Sequence, residues 1–171
     1  MMQTLHTPRL VLEPRLAAHA DALYPILADA RQREYHDDDP VSPGALRERF
    51  RKGESRRSPD GREQWLNWAL LLREGGTNAI GFVQATVQED YRAWVAYQVA
   101  TALWGQGLAT EAVRAMLEHL ASHYSVTQCM ATADQRNQRS WRLLERLGFA
   151  RASAAQLAAM DVQTGDWLYL R

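Results

Sequence analysis

Several features that assign a protein to a class at once are scarce in this chain of 171 residues. It has one cysteine, Cys129, which excludes an internal disulfide, and no cluster of metal-ligating residues surrounds it. No apolar run approaches the ~20 residues that span a bilayer. The first residues also lack the basic and then apolar pattern of a secretory signal. We therefore expect a soluble, cytoplasmic protein with no metal site.

Net charge is absent as well, because 20 basic residues balance 20 acidic ones. This balance argues against a general attraction to nucleic acid or to an anionic membrane, and we expect neither as a partner. Lysine is nearly absent too, since Lys52 is the one lysine of the chain. The length and the 46% of apolar residues predict a single globular domain over 1–171, with no repeats or linkers. A monomer and a homodimer both remain open.

The most informative segment runs from Trp104 to Ala112, where a turn with two glycines opens directly into an amphipathic helix. Glycine permits backbone torsions that other residues avoid, and the first N–H groups of a helix have no partners of their own. Such a turn is suited to bind a phosphate. It lacks the Gly-Lys-Ser/Thr ending of a nucleotide-binding loop and the third glycine of the dinucleotide fingerprint. A turn that serves only tight packing is the alternative.

The hydrophobic pattern predicts strands on both sides of this turn. The strands are expected at 10–12, 65–72, 79–87, 94–100 and 127–132, with a closing hairpin of 156–162 and 167–170 around Thr164-Gly165; helices are expected at 17–28 and 43–51 and after Gly107 and Asn137. The helix after Gly107 makes the strand that follows it parallel to the strand before it. The glycine turn then lies at the carboxyl end of a strand, where open sheets bind ligands.

A second amphipathic helix has Asn137 as its expected N-cap and ends at Gly148, a residue suited to a left-handed cap. Asn137, Ser140, Trp141 and Leu144 lie on one side of this helix at i, i+3, i+4, i+7 spacing. We expect the polar pair Asn137 and Ser140 to face the same cleft as the glycine turn.

Two segments, 104–112 and 137–149, resemble the GNAT superfamily of acyl-CoA N-acyltransferases, and Thr7-Pro8-Arg9-Leu10-Val11-Leu12 resembles the start of that family's domain. The chain is most similar to the branch of ribosomal-protein alanine and serine N-acetyltransferases. The resemblance implies an α+β fold, an α/β sandwich. Its central sheet is mixed, mostly antiparallel and twisted, with six to seven strands and about four flanking helices. A V-shaped splay is implied between the fourth and fifth strands.

The resemblance also implies acetyl-CoA as the cofactor and a role for individual residues. The pyrophosphate of CoA is expected on the turn and the start of its helix, at Trp104, Gly105, Gln106, Gly107, Leu108, Ala109 and Thr110. Tyr97 and Val99 match the strand that pairs with the pantetheine arm, and the Val99 N–H is the expected donor to the thioester carbonyl. Asn137 matches the residue that binds this arm, and Ser140 its neighbour toward the sulfur.

Two positions depart from the family pattern. Many relatives have a tyrosine, the acid to the departing thiolate, where this chain has Leu144, so Ser140 is the nearest substitute. Relatives of this branch often have a glutamate at the position of Trp94, so the usual base is not identified. Glu89 is our candidate base, with Asp90, Glu34, His36 and Asp37 as further ones. Surface roles for these residues remain the alternative.

The acceptor site has no motif of its own. We expect it near the acidic loop with Tyr35, His36 and Asp37, and near Trp94. The segment 47–62 carries seven of the 20 basic residues and either is a solvated surface or contacts an acidic part of the substrate. Arg136, Arg139 and Arg142 flank the second helix and are candidates for the 3′-phosphate of CoA.

These observations predict an acetyl-CoA-dependent N-acetyltransferase whose acceptor is a protein N-terminus or a small primary amine. An α-amine has a pKa about 8 and needs less help from a base than a lysine near 10.4, which favours α-amines. The same fold with a drug, a polyamine or an amino acid as acceptor is the competing enzyme hypothesis. A module that binds acyl-CoA without turnover, as a sensor or partner, is the alternative from another class.

Overall fold

The computed structural model describes residues 2–35, 42–160 and 162–171, and its centre is one sheet of eight strands. The strands are β1 (Leu5–His6), β2 (Leu10–Pro14), β3 (Gln64–Leu72), β4 (Gly81–Val87), β5 (Arg92–Val99), β6 (Gln128–Asp134), β7 (Ala150–Arg151) and β8 (Asp166–Leu170). The α-helices described are α1 (Ala20–Leu27), α2 (Ala30–Arg33), α3 (Pro43–Gly53), α4 (Leu108–Tyr124), α5 (Gln138–Arg146) and α6 (Ala154–Ala158). The order across the sheet is β1-β2-β3-β4-β5-β6-β8-β7.

The sheet is mixed and mostly antiparallel, as the resemblance implies. The pair of β5 and β6 is parallel, and α4 forms the crossover between them. The sheet has more strands than the six to seven expected, because β1 and β7 are two-residue strands at its edges. The helices exceed the expected four because the short α2 and α6 have no extended hydrophobic pattern.

The splay implied by the resemblance is present between β5 and β6, which correspond to the fourth and fifth of the expected strands, 94–100 and 127–132. Their register begins at Arg92↔Gln128 and ends at Trp94↔Met130, so only three residues of each strand are paired. Beyond this point β5 continues to Val99 without β6 as a neighbour. A V-shaped gap therefore opens toward the carboxyl ends of both strands.

The two faces of the sheet carry different helices. Alternate residues of β5, among them Val95 and Val99, pack in one core with α4 and α5. On the other face Ala69 and Phe82 pack in a second core with Leu23 of α1 and Phe50 of α3. We call this second side the α1/α3 face.

One predicted strand is wrong. The segment 156–162 was expected to pair with 167–170, but residues 154–158 form α6. The Ser153 side chain accepts from the Gln156 N–H, and the Gln156 side chain accepts from the Ser153 N–H, so a capping box starts a helix here. β8 instead pairs with β6 on one side and with the short β7 on the other.

The two helix-end predictions are confirmed. Asn137 is the N-cap of α5, and its Oδ1 accepts from the Ser140 N–H at 3.2 Å. Gly148 has φ +85°, and the Phe149 N–H that follows donates to the Leu144 carbonyl at 3.0 Å. These two ends fix the start and the length of α5 beside the splay.

Candidate active site

The glycine turn forms a cradle of free backbone N–H groups at the start of α4. Gly105 and Gly107 have φ of +79° and +77°, which lies in the left-handed region that favours glycine. The first bond within the helix is from the Glu111 N–H to the Gly107 carbonyl at 3.0 Å. The N–H groups of Leu108, Ala109 and Thr110 are therefore not used by the helix and are available to an anion.

Arg9 and Glu111 hold this cradle against the start of β2. The Glu111 carboxylate accepts from Thr7 Oγ1 at 2.6 Å, from the Arg9 N–H at 2.9 Å and from Arg9 Nε at 2.6 Å. Arg9 also donates to the Gln106 carbonyl at 2.8 Å. Desolvation raises the pKa of Glu111, but the bonds from Thr7 and Arg9 outweigh it, so the pKa lies below its ordinary value. The glutamate is thus ionised and ties the turn to the sheet.

The end of β5 presents the Val99 N–H to the splay. The next N–H along the chain, that of Ala100, donates to the Ile80 carbonyl at 2.8 Å. Because successive N–H groups of a strand point to opposite edges, the Val99 N–H points away from β4 and toward the gap. The same holds for the Tyr97 N–H, two residues earlier. Both groups lie on the part of β5 that β6 no longer pairs.

Two side chains fix the direction of this strand end. The Val99 carbonyl accepts from Gln32 Nε2 at 2.7 Å and from Trp104 Nε1 at 2.9 Å. The Arg139 guanidinium carbon lies 3.8 Å from the centre of the Trp104 ring and covers it from α5. Trp104 therefore holds the strand end through its indole N–H. No motif in the sequence indicated Gln32, since it reaches Val99 from a distant segment.

Tyr97 and Ser140 meet in the gap between β5 and α5. The Tyr97 hydroxyl donates to the Ser140 carbonyl at 3.1 Å and lies 3.0 Å from Ser140 Oγ. Burial raises the pKa of Tyr97 to about 12, although the bond to Ser140 lowers it in part. The phenol stays protonated at neutral pH. Leu144, at the position where many relatives have tyrosine, is fully buried in the core.

The α1–α2 segment closes one side of the splay. Asp29 Oδ2 accepts from Thr101 Oγ1 at 2.5 Å, and the bonds from Arg31 and then Thr101 lower the pKa of Asp29. Arg136 donates to the Glu34 carbonyl at 3.2 Å. Its guanidinium carbon lies 5.9 Å from the Tyr35 ring centre. Tyr35 thus lies beside the start of α5.

The other predicted substrate and base residues are not all brought to the splay. Trp94 forms the last β5–β6 pair with Met130 and is in register with Thr86 and Trp65 on the α1/α3 face. Glu89 follows β4 at the opposite end of β5 and lines a cavity of about 740 Å³. From Arg92 to Val99 the strand extends ~23 Å at 3.3 Å per residue, so Glu89 does not reach Val99. His36 and Asp37 lie outside the described residues.

Three further observations concern the described part of the chain. No group of three His, Cys, Asp or Glu side chains there is arranged to hold a metal ion. No described helix combines the length and the apolar character that crossing a bilayer requires. Cys129 is buried opposite Ala93, and burial raises the pKa of its thiol to about 11.

A mixed sheet splayed after a short parallel pairing, with an anion cradle at the carboxyl end of its central strand, defines a class of acyltransferases. The model of the acetyltransferase (GNAT) domain matches residues 9–150, and the chain belongs to this family. The family transfers acetyl groups from acetyl-CoA. The cradle and the gap beside Val99 fit the pyrophosphate and the extended arm of this cofactor.

Solved structures agree with this assignment. A GNAT-family acetyltransferase from Bordetella pertussis is 26% identical, with a TM-score of 0.75 and 99% of each chain covered. RimL, a ribosomal L7/L12 alpha-N-protein acetyltransferase solved with CoA, is 16% identical, with a TM-score of 0.80, 99% of this chain covered and 97% of RimL. An aminoglycoside acetyltransferase solved with CoA is 18% identical, with a TM-score of 0.75, 95% of this chain covered and 94% of that chain. The last two similarities concern the fold alone.

Proposed function

We propose that this chain is an N-acetyltransferase that moves the acetyl group of acetyl-CoA to a primary amine by direct attack on the thioester. The observation that carries the proposal is the Val99 N–H, which points into the splay next to the phosphate cradle. A donor at this place stabilises the negative charge that develops on the thioester oxygen during attack. The amides from Gly105 to Thr110 and the Asn137 side chain hold the rest of the cofactor.

Ser140 is the proposed donor to the departing thiolate, and Tyr97 is the residue that positions it. In the reaction the amine nitrogen bonds to the acetyl carbon, the carbon–sulfur bond breaks, and sulfur leaves with its electron pair. The thiolate takes up a proton from Ser140, and the proton that the amine loses restores the one given up by Ser140. When the Tyr97 proton turns to Ser140 Oγ, the Ser140 proton is free to be donated into the gap.

The α-amine of a peptide is the acceptor that the site favours. Glu89, our first candidate base, lies too far from Val99 to deprotonate a bound amine, and an acceptor that is already partly neutral depends less on a base. An α-amine, with a pKa about 8, is partly neutral at pH 7.5, whereas a lysine near 10.4 is almost wholly protonated. The RimL likeness is in keeping with a protein N-terminus, and the aminoglycoside acetyltransferase likeness with a small amine.

A module that binds acyl-CoA without turnover is the second candidate. Two observations favour it: Leu144 replaces the usual acid, and Trp94 replaces the usual strand glutamate. The two candidates differ in one measurement. An acetyltransferase releases CoA thiol when acetyl-CoA is mixed with a suitable amine, and a binding module releases none above the background hydrolysis.

The test combines thiol release with calorimetry on the wild type, Asn137→Ala and Ser140→Ala. We expect wild-type CoA binding and turnover of alanine-terminated peptides. Ser140→Ala should lower kcat about 10-fold or more and leave the CoA dissociation constant within about 2-fold, because it removes a proton donor. Asn137→Ala should weaken CoA binding as well, because it removes both a ligand and the cap of α5. Unchanged kcat in both variants would contradict the assigned roles.

A further inference from the structure

Arg15 is a half-buried cation on the α1/α3 face of the sheet. Its N–H donates to the Asn67 carbonyl at 2.8 Å, so the chain continues beside β3 after β2 ends. Glu13 is in register with Ala69, and Arg15, two residues on, therefore points to the same face. The guanidinium carbon lies 4.1 Å from the ring centre of Phe50 and 5.4 Å from that of Phe82.

The charges around Arg15 do not compensate it. The two charged groups that act on it most are Arg49 and Arg56, both cationic, and no carboxylate in the described ranges forms an ion pair with it. Burial, followed by these two arginines, lowers the pKa of Arg15 to about 9. A half-buried charge without an anionic partner has a cost, and contact with two ring faces offsets only part of that cost. An apolar side chain would fill the same space at less cost.

Arg15 lies on the same sheet as Val99, and Phe82 and Gln98 lie between them. Phe82, which the guanidinium contacts, is in register with Gln98, the residue before Val99. Arg15 continues β2, which lies three strand spacings, ~14 Å, from β5, and its side chain reaches across β3 toward Phe82 on β4. Gln98 Oε1 is buried with no hydrogen-bond partner among the described residues, and Ala96, on the same face, is exposed. The face between Val99 and Arg15 therefore has exposed surface at Ala96.

We propose that Arg15 binds an anionic group of the acceptor, a carboxylate that lies on the α1/α3 face between β2 and the attacked thioester. The inference rests on the proposed function and names its substrate class: peptides with aspartate or glutamate next to the N-terminal residue. The planar guanidinium binds a carboxylate in a bidentate manner. Arg49 and Arg56 add positive potential around this site.

The test uses three synthetic hexapeptides with N-terminal alanine that differ only in having glutamate, glutamine or lysine at the second position. We expect kcat/KM of the wild-type protein to be about 10- to 100-fold higher for the glutamate than for the glutamine peptide, which is the usual range for a charge-assisted hydrogen bond. The lysine peptide should be poorer still. In Arg15→Met the ratio of glutamate to glutamine should fall to within about 2-fold.

Arg51→Met is the matched control, because Arg51 is exposed on α3 and pairs with Glu48 at 2.6 Å. It should keep the wild-type ratio. Arg15→Lys keeps the charge without the planar guanidinium and should reduce the ratio of glutamate to glutamine in part. If Arg15→Met does not fold, Arg15→Lys serves as the test. A wild-type ratio near one, or a preference that survives in both Arg15 variants, overturns the inference. CoA binding without turnover of any peptide overturns the proposed function as well, and turnover without a charge preference overturns the inference alone.

Discussion

At the scale of single residues, the proposed site depends on hydroxyl and amide groups whose partners come from distant segments. Tyr97 lies on β5 and Ser140 on α5, and they meet because the splay brings these two elements together. Gln32 reaches the Val99 carbonyl in the same way. Each of these contacts joins residues more than 40 positions apart in the chain.

The prediction at this scale concerns Tyr97 as a positioning residue. Tyr97→Phe removes the hydroxyl that holds Ser140 and should lower kcat about 10-fold, with the CoA dissociation constant within about 2-fold. The double variant with Ser140→Ala should be no slower than Ser140→Ala alone, because the two hydroxyls act as a unit. Steady-state kinetics and calorimetry measure both quantities. Tyr124→Phe, on the far end of α4, is the control, and additive losses would contradict the role.

At the scale of elements, the approach of β4 to β5 determines where the Val99 N–H lies. Gly81 is in register with Val99, and a Cβ at Gly81 would lie 2.2 Å from the Gln98 carbonyl oxygen. This contact is with backbone, which does not move aside as a flexible side chain does. A glycine is therefore required at this point for the two strands to pair.

Gly81→Ala should consequently displace the end of β5. We expect a loss of about 1–3 kcal/mol in the free energy of unfolding, typical of overpacking, together with a fall in kcat. Urea unfolding and thiol release measure the two effects. The matched control is Gly76→Ala, where the added Cβ makes an ordinary contact of 3.5 Å with Leu72. Equal stability and rate in the two variants would show that the close approach is not required.

The sequence predicted most elements because their signals are local. The cap at Asn137, the stop at Gly148 and the glycine turn depend on a few adjacent residues, and the structure confirms the elements they start or end. The segment 156–162 was mistaken for a strand because a short alternating pattern outweighed the Ser153–Gln156 capping box. Contacts such as Arg15 with Phe50 and Phe82 could not be predicted, since they depend on how distant elements pack.

At the scale of the whole molecule, stability should depend on pH through His119. This residue is buried, and its ring is stacked on that of His123, with 4.3 Å between the ring centres. The ring centres of Trp68 and Tyr124 lie 5.8 Å and 5.6 Å from that of His119. Burial, followed by the charge of His123, lowers its pKa from the ordinary 6.5. The folded state thus favours the neutral ring.

As the pH falls below about 6.5, the unfolded chain takes up a proton at this histidine more readily than the folded one. The stabilisation is full above that pH and decreases until the pH has passed the lowered pKa of the folded state. Urea unfolding between pH 8 and pH 5 should show a smaller loss for His119→Phe than for the wild type. His6→Gln, at an exposed position, should follow the wild-type curve, and identical curves for all three would refute this assignment.

The early end of the β5–β6 pairing has a further consequence for how this fold accommodates sequence change. The groups that we assign to the acyl donor are mostly main-chain N–H groups, at Val99 and from Gly105 to Thr110, and every residue except proline supplies one. Recognition of the donor is thus encoded in the path of the backbone. Side chains near the splay are free to diverge toward new acceptors while the donor stays the same, and structures only 16–26% identical keep one architecture.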